Sequence, residues 1–101
     1  MIRETIYKDR DNTIDLQLKI NGAVADLSTI THIILTADAI TIDSRTETNC
    51  IDWSSGNGVV ELALGGIAEL NIRTLYTFSM VTYDSDNTNG ITWGRFEALV
   101  K

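Results

Sequence analysis

Apolar and polar residues alternate most clearly between residues 13 and 20. The apolar positions are Ile14, Leu16, Leu18 and Ile20, and the positions between them are Asp15, Gln17 and Lys19. Because successive side chains of a strand point to opposite faces, the alternation predicts a half-buried antiparallel strand with its four aliphatic side chains in the core. Asn21-Gly22 follows, and both residues accept the positive φ of a two-residue type I′ turn. We therefore predict a hairpin that returns through residues 23–25.

Seven further segments have strand character. They are residues 2–8, 30–37, 39–43, 49–53, 59–64, 75–83 and 91–101. Polar connections separate them, and the turns at 54–58 and 84–90 each end in Asn-Gly. Gly94 predicts a β-bulge that resets the register of the last strand. The segment 67–72 is too short for an independent helix, and we predict that it makes one helical turn between the sheets, with Ile67 and Leu70 inward and Asn71 as a third candidate.

The number and spacing of these segments predict the fold class. Seven to eight short strands with turn signals every 8–12 residues are typical of an antiparallel β-sandwich. A length of 101 residues suits one immunoglobulin-like domain spanning residues 1–101, and a small barrel is the alternative. Ile33-Ile34-Leu35 is apolar at every position and favours a strand covered by neighbours. The predicted core comprises Ile14, Leu16, Leu18, Ile20, Ile34, Val60, Leu62, Leu64, Tyr76, Phe78, Phe96 and Ala98.

Composition and charge narrow the classes of partner. The net charge is −6, and the eight basic residues are scattered, which argues against a nucleic-acid surface and against anionic membranes. The first eight residues contain charges and no apolar run approaches the ~20 residues that span a bilayer, so we expect a soluble protein made in the cytoplasm. Cys50 is the single cysteine, which excludes an intrachain disulfide; we expect a small, buried apolar residue.

The candidate catalytic residues do not form a recognisable set. His32 is the only histidine, and it lies inside a predicted strand without a nearby nucleophile, so we expect a structural or solvent-facing role. Among the acidic residues, Asp15 and Glu61 lie on polar strand faces and are expected to be solvated surface, although a paired-carboxylate hydrolase is a formal alternative. We predict that the protein is not an enzyme and has no catalytic, cofactor-binding or metal-binding residues.

Two features suggest a binding module as an alternative. Residues 84–90 begin like a calcium loop, but the match fails because Asn89 occupies the glycine position and Arg95 the position of the final glutamate. A hairpin loop explains the same composition. Trp53 and Trp93 could stack on a carbohydrate or a nucleic acid, although a sandwich usually buries at least one tryptophan, and an interface position is the other possibility.

The order of these features resembles a known module. Asp11-Asn12, the alternating strand, Asn21-Gly22 and Asp26-Leu27 come first. A strand like 33–36, Gly58-Val59-Val60-Glu61-Leu62, the pair Tyr76 and Phe78, the acidic loop, and Gly94, Phe96 and Val100 follow. This series is similar to the immunoglobulin-like modules of tailed-bacteriophage virion proteins, in particular the N-terminal domain of the baseplate upper protein family.

The resemblance covers nearly the whole chain and implies a function without catalysis. Members of the family often carry the module at the head of a longer protein, whereas this sequence ends with it. The implied role is a structural component of a phage or prophage virion, as a capsid decoration, neck or tail/baseplate accessory protein. Its implied partners are other virion proteins and copies of itself, and its location is the virion after synthesis in the host cytoplasm. The alternative is a carbohydrate- or calcium-dependent binding module.

The sheet edges are a further consideration. Edge strands present unpaired backbone groups, and many proteins protect them with proline, charge or bulges. The sequence contains no proline. We expect either that the charged strand at residues 2–8 protects one edge or that another subunit covers an edge by strand addition.

Overall fold

The computed structural model describes residues 2–101, which contain ten strands. They are β1 (Ile2–Ile6), β2 (Ile14–Gln17), β3 (Lys19–Ile20), β4 (Ala23–Val24), β5 (His32–Ala37), β6 (Ile40–Asp43), β7 (Ile51–Asp52), β8 (Val59–Leu62), β9 (Thr74–Tyr83) and β10 (Ile91–Val100). The count exceeds the predicted seven to eight because the strand predicted at 13–20 divides in two and its short return is itself a strand.

The strands form two main sheets and a small hairpin. Sheet A has the order β1-β10-β9-β5-β6, sheet B has the order β2-β8-β7, and β3 pairs with β4. All pairs are antiparallel except β1 with β10, which run parallel. The inner faces of sheets A and B enclose one apolar core. The protein is therefore all-β and sandwich-like, consistent with the predicted immunoglobulin-like class.

The core confirms most of the sequence prediction. Ten of the twelve predicted members are buried, the exceptions being Ile20 and Ile34. Phe78 and Phe96 stack with ring centroids 5.3 Å apart. The placement of Ile34 in the core is wrong because its neighbours Ile33 and Leu35 occupy the inner face of β5 and are fully buried. Alternation then puts Ile34 on the outer face, where it is half-buried.

The placement of Ile20 in the core is also wrong. Leu18 interrupts the predicted strand because its N–H donates to Gly58 O at 2.8 Å while its carbonyl accepts the Ala25 N–H at 2.9 Å. The chain continues into the β3–β4 hairpin, whose four strand residues are all exposed, and Ile20 is 57% exposed. The turn itself is confirmed, since Asn21 and Gly22 both have positive φ (52° and 81°).

The segment from 64 to 73 connects β8 of sheet B to β9 of sheet A. Leu64, Ile67 and Leu70 are buried, which confirms that Ile67 and Leu70 face inward, whereas Asn71 is exposed. The predicted helical turn is wrong: Ile67 N–H bonds to Leu64 O and Leu70 N–H to Ile67 O, each at 3.2 Å, so two successive reverse turns replace it. A contact outside the segment favours reverse turns over a helical turn. Gly65 O accepts the Asp9 N–H at 2.8 Å, which ties the first turn to the chain after β1.

The bulge predicted at Gly94 is confirmed. The register of β10 against β9 shifts between Thr92 and Gly94, and Gly94 has a φ of 105°. Trp93 is half-buried against the core, and its indole N–H donates to the Thr82 hydroxyl at 2.7 Å. Thr82 is a buried polar residue in the core, so this bond satisfies a polar group that would otherwise be costly to bury.

Candidate interaction surfaces

His32 packs as a structural residue. It lies opposite Tyr83 in the β5–β9 register, and the two rings stack with centroids 4.3 Å apart and an interplanar angle of 5°. Its Nδ1 is 3.0 Å from the Thr31 hydroxyl. Both the face and the edge of the imidazole are therefore engaged within sheet A.

The predicted carboxylates come together on the outer face of sheet B. The strand register places Asp15 opposite Glu61 on one side and Asp52 opposite Glu61 on the other. Asp52, which the sequence did not single out, lies at the end of a two-residue strand. Hydrogen bonds from the side chain and backbone of Ser54 lower the pKa of the Asp52 carboxyl. The row is a set of like charges across strands, an arrangement that weakens pairing.

The loop at 84–90 is organised by internal hydrogen bonds. Oδ1 of Asp84 accepts the backbone N–H groups of Asp86 and Asn87 at 2.9 and 2.8 Å and the Asn87 side-chain amide at 3.0 Å. These bonds form an Asx turn, which accounts for the acidic and amide residues of the loop. Across residues 2–101, no three His, Cys, Asp or Glu side chains are arranged to hold a metal ion.

An ion pair lies at the end of β6. The Arg45 guanidinium donates to Asp43 Oδ2 at 2.7 Å, and the Arg45 backbone N–H donates to Asp43 Oδ1 at 2.9 Å. The hydrogen bond from the guanidinium is the largest cause of the lowered pKa of the Asp43 carboxyl, and it raises the pKa of Arg45 in turn. The pair fixes the turn that follows β6.

Cys50 differs from its expected burial. It is half-buried against the core rather than fully enclosed. Burial, with a smaller contribution from Glu47, raises the pKa of the thiol. The cysteine lies just before the two-residue strand β7, and this position at the margin of sheet B leaves part of it exposed.

An apolar patch lies at one end of the outer face of sheet A. Leu75 lies opposite Leu99 in the β9–β10 register, and Ile72 lines a shallow depression with Leu99. Tyr7 lies in the next row of the same face, opposite Lys101, because Lys101 N–H bonds to Ile6 O and Lys8 N–H bonds to Lys101 O, which continues the parallel pairing past β1. Tyr7, Ile72 and Leu75 are 49%, 53% and 44% exposed.

Positive charge borders this apolar patch. Arg73 and Lys101 line the same depression as Ile72 and Leu99, in a chain whose net charge is −6. Clustered exposed apolar side chains with a charged rim are a common mark of protein contact sites. The sequence pattern does not predict this patch, because Ile72, Leu75 and Leu99 lie in separate strand and corner segments and only the fold brings them together.

A second depression lies beside the β3–β4 hairpin. The cavity has a volume of about 530 Å³ and is lined by residues 24–28, Trp53, Ser54 and residues 56–58. Trp53 is half-buried and packs against the core. Neither tryptophan is fully buried, so the expected core tryptophan is replaced by two side chains at the margin of the core.

The four edges of the two sheets differ in their protection. β1 lies at one edge of sheet A and carries Arg3, which pairs with Glu97 at 3.2 Å, as expected for a charged edge strand. The edges of sheet B are β2, which carries Asp15, and the two-residue strand β7. The other edge of sheet A is β6, which is uncharged from Ile40 to Ile42.

Comparison with models of protein families, with well-characterised proteins and with solved structures finds no match to this chain. The similarity to phage virion modules therefore remains a prediction from the sequence.

The structure also bears on membrane association. No helix capable of crossing a bilayer occurs in residues 2–101.

Proposed function

We propose that this protein is a structural component of a bacteriophage or prophage virion, acting through protein–protein contacts and not as an enzyme. Its place would be that of a capsid decoration, neck or tail/baseplate accessory protein, made in the host cytoplasm and incorporated into the particle. The observation that supports a contact function is the apolar patch of Tyr7, Ile72, Leu75 and Leu99 with its positive rim. The similarity of the sequence pattern to virion modules supports the setting.

The apolar patch suits a protein partner because its side chains come from three separate parts of the chain on one sheet surface. A partner that covers it would remove the exposed leucine and isoleucine from water, at ~25 cal/mol per Å². Arg73 and Lys101 at the rim favour acidic side chains on that partner. The partner is expected to be another virion protein with an apolar, acidic-rimmed surface.

The direct test is the composition of purified particles. Phage particles produced by the host that carries this gene are purified and analysed by quantitative mass spectrometry. We expect the protein in a fixed copy number per particle, comparable to that of a known structural protein. Its absence from purified particles would remove the proposal.

The contact surface is tested in the same particles. Leu75→Glu introduces a charge into the apolar patch, and we expect its incorporation to fall at least about tenfold because that charge must be desolvated at the interface. Ile20→Glu is the matched control, since Ile20 is also apolar and is more exposed than Leu75 (57% against 44%) but lies on the β3–β4 hairpin. Equal incorporation of both variants would show that the apolar patch is not the contact.

The second candidate function is a carbohydrate-binding module. The cavity beside Trp53 favours it, because an aromatic side chain lies next to carboxylate and hydroxyl groups at Asp26, Ser28 and Ser54. Its volume of about 530 Å³ is within the usual range for small-ligand sites, roughly 300–1,000 Å³. A glycan array and calorimetry with and without calcium, on the wild-type protein and Trp53→Ala, test it. The absence of binding in both assays would rule out this candidate function.

A further inference from the structure

β6 is the least protected strand edge of the protein. Of the described residues, β5 is the only strand that pairs with β6, which ends the order of sheet A. Three of its four residues, Ile40, Thr41 and Ile42, carry no charge, and the charge of the fourth, Asp43, is paired with Arg45. The strand contains no bulge in its pairing with β5. Edges of this kind are templates for pairing with another strand.

The backbone groups that face outward from β6 follow from the register. Ala37 pairs with Ile40 across a two-residue turn, and Ser44 N–H bonds to Ile33 O at 3.0 Å. In an antiparallel pair the bonded positions alternate, so residues 40, 42 and 44 direct their backbone groups to β5. The N–H and C=O of Thr41 and the N–H of Asp43 consequently point away from the sheet.

These outward groups are self-complementary. With Thr41 on a two-fold axis perpendicular to the sheet, Thr41 of each copy donates to and accepts from Thr41 of the other. Ile40 then lies opposite Ile42 of the second copy on the inner face. The two Thr41 side chains meet on the outer face, where this residue is exposed, and cross-strand threonine pairs are favourable.

Charged groups of the two copies also meet at the ends of β6. The pairing sets the turn that contains Asp38 beside Ser44 of the second copy, next to Arg45. Arg45 is held by Asp43 of its own copy, so the acidic turn of one copy approaches this ion pair of the other, twice in the dimer. β1, the opposite edge of sheet A, carries Arg3 and Glu4, and charges on an edge strand oppose its pairing with another strand.

We propose that two copies of this chain associate by antiparallel pairing of their β6 strands, which joins the two copies of sheet A into one continuous sheet. This inference rests on the proposed assembly function and names the edge and the partner. Four residues per strand bury little surface, so the expected Kd is on the order of tens of micromolar.

The inference is tested by analytical ultracentrifugation of the purified chain from about 1 to 500 μM. Thr41→Lys places two ammonium groups side by side across the axis, and we expect the Kd to rise at least about tenfold. Thr36→Lys is the matched control because Thr36 lies directly opposite Thr41 on β5, is exposed on the same face and is one strand further from the edge. Its Kd should stay within about twofold of the wild-type value.

A backbone variant separates strand pairing from a side-chain effect. Thr41→Pro removes an outward N–H while leaving the bonds to β5 intact, and it should weaken association at least about tenfold. Thr5→Pro removes the corresponding outward N–H on β1 at the opposite edge and should leave the Kd unchanged. Circular dichroism and thermal unfolding establish that each variant is folded.

Hydrogen exchange supplies a measurement on the wild-type chain. The Thr41 amide should exchange more slowly as the protein concentration rises, whereas the Thr5 amide should not. A chain that remains monomeric at about 500 μM, or equal association of Thr41→Lys and Thr36→Lys, overturns the β6 pairing. The particle composition decides the virion proposal separately, so the two can fail independently.

Discussion

At the residue scale, Gly65 has a role that its neighbour Gly66 lacks. A Cβ on Gly65 would lie 2.7 Å from the carbonyl oxygen of Tyr7 and closer still to that of Arg10, whereas one on Gly66 would meet nothing within 4 Å. Both carbonyls belong to the backbone between β1 and β2, which cannot move aside like a flexible side chain. The close approach lets the turn after β8 dock against this connection.

These two glycines give a matched pair of variants. We expect Gly65→Ala to lower the free energy of unfolding by about 3 kcal/mol, because the backbone must shift to admit the methyl group. Gly66→Ala should change it by less than about 0.5 kcal/mol or increase it slightly, since alanine restricts the unfolded chain. Urea denaturation followed by circular dichroism measures both. Equal effects of the two substitutions would contradict the close packing at Gly65.

Asp43 provides a pH-dependent contribution to stability. Its carboxyl has a lowered pKa because of Arg45. Between the folded and the unfolded pKa, the unfolded chain therefore binds a proton that the folded chain does not. The stabilisation is therefore complete above the unfolded pKa of about 3.9 and is lost as the pH falls through the lower folded pKa.

We expect Asp43→Asn to lower the free energy of unfolding by about 1 kcal/mol at pH 7. The difference from the wild-type protein should shrink as the pH falls below about 4, because the carboxyl is protonated first in the unfolded chain and then in the folded one. Urea titrations at pH 7 and pH 3 measure it, with Asp11→Asn, an exposed position before β2, as the control. A difference that is the same at both pH values would contradict the role of the charged carboxylate.

At the element scale, the strand predicted at 13–20 has two different halves. Ile14 lies in β2 under sheet A and is 4% exposed, whereas Ile20 lies in the β3–β4 hairpin and is 57% exposed. Both residues occupy apolar positions in the same unbroken alternation of apolar and polar residues. The difference arises at Leu18, where hydrogen bonds to Gly58 and Ala25 end the pairing of β2 with β8 and begin the hairpin.

Alanine substitutions measure this division directly. Ile14→Ala removes buried methyl and methylene groups and should cost about 3 kcal/mol of unfolding free energy. Ile20→Ala should cost less than about 0.5 kcal/mol, because the side chain is already mostly in water. Chemical denaturation of the two variants measures both losses of unfolding free energy. Similar losses would indicate a strand that is buried along its whole length.

The hairpin also shows how far local patterns reach. Asn21-Gly22 predicted its turn, because the requirement for positive φ is a property of the two residues themselves. Whether Ile20 is buried or exposed depends on what lies above the hairpin, which is a property of the rest of the chain. The same limit applies to the segment 67–72, where the inward side chains were predicted and the turn geometry was not.

At the scale of the whole molecule, one core joins the two sheets. Trp93 lies in β10 of sheet A and Trp53 directly follows β7 of sheet B, and both pack against the same set of buried side chains. Loss of either sheet would expose the inner face of the other. The two sheets are therefore expected to unfold together.

Single-tryptophan variants test this cooperativity. Trp53→Phe leaves Trp93 as a reporter for sheet A, and Trp93→Phe leaves Trp53 as a reporter for sheet B. In each variant, fluorescence and far-ultraviolet circular dichroism should give the same denaturation midpoint, as for a two-state transition. Separate midpoints in one variant would show that a sheet unfolds on its own.

The candidate contact surfaces belong to this largest scale. The apolar patch combines Tyr7, which follows β1, with residues before β9 and in β9 and β10, and the parallel pairing of β1 with β10 brings them together. The β6 edge exists only because the strand order of sheet A ends there. Neither surface has a motif in the sequence, so the sequence could predict a contact function by resemblance but not its location.

The sequence by itself determined the all-β class, the approximate strand positions, the bulge at Gly94 and most of the core. These follow from alternation and from backbone conformations that Gly and Asn favour, and both are local properties. The tertiary structure decided the parallel β1–β10 pair and the row of Asp15, Glu61 and Asp52. It also decided the exposure of Ile20 and the inward position of Ile33 in place of Ile34. Each depends on which distant strand lies alongside or above, and one strand's residue pattern is compatible with several such neighbours.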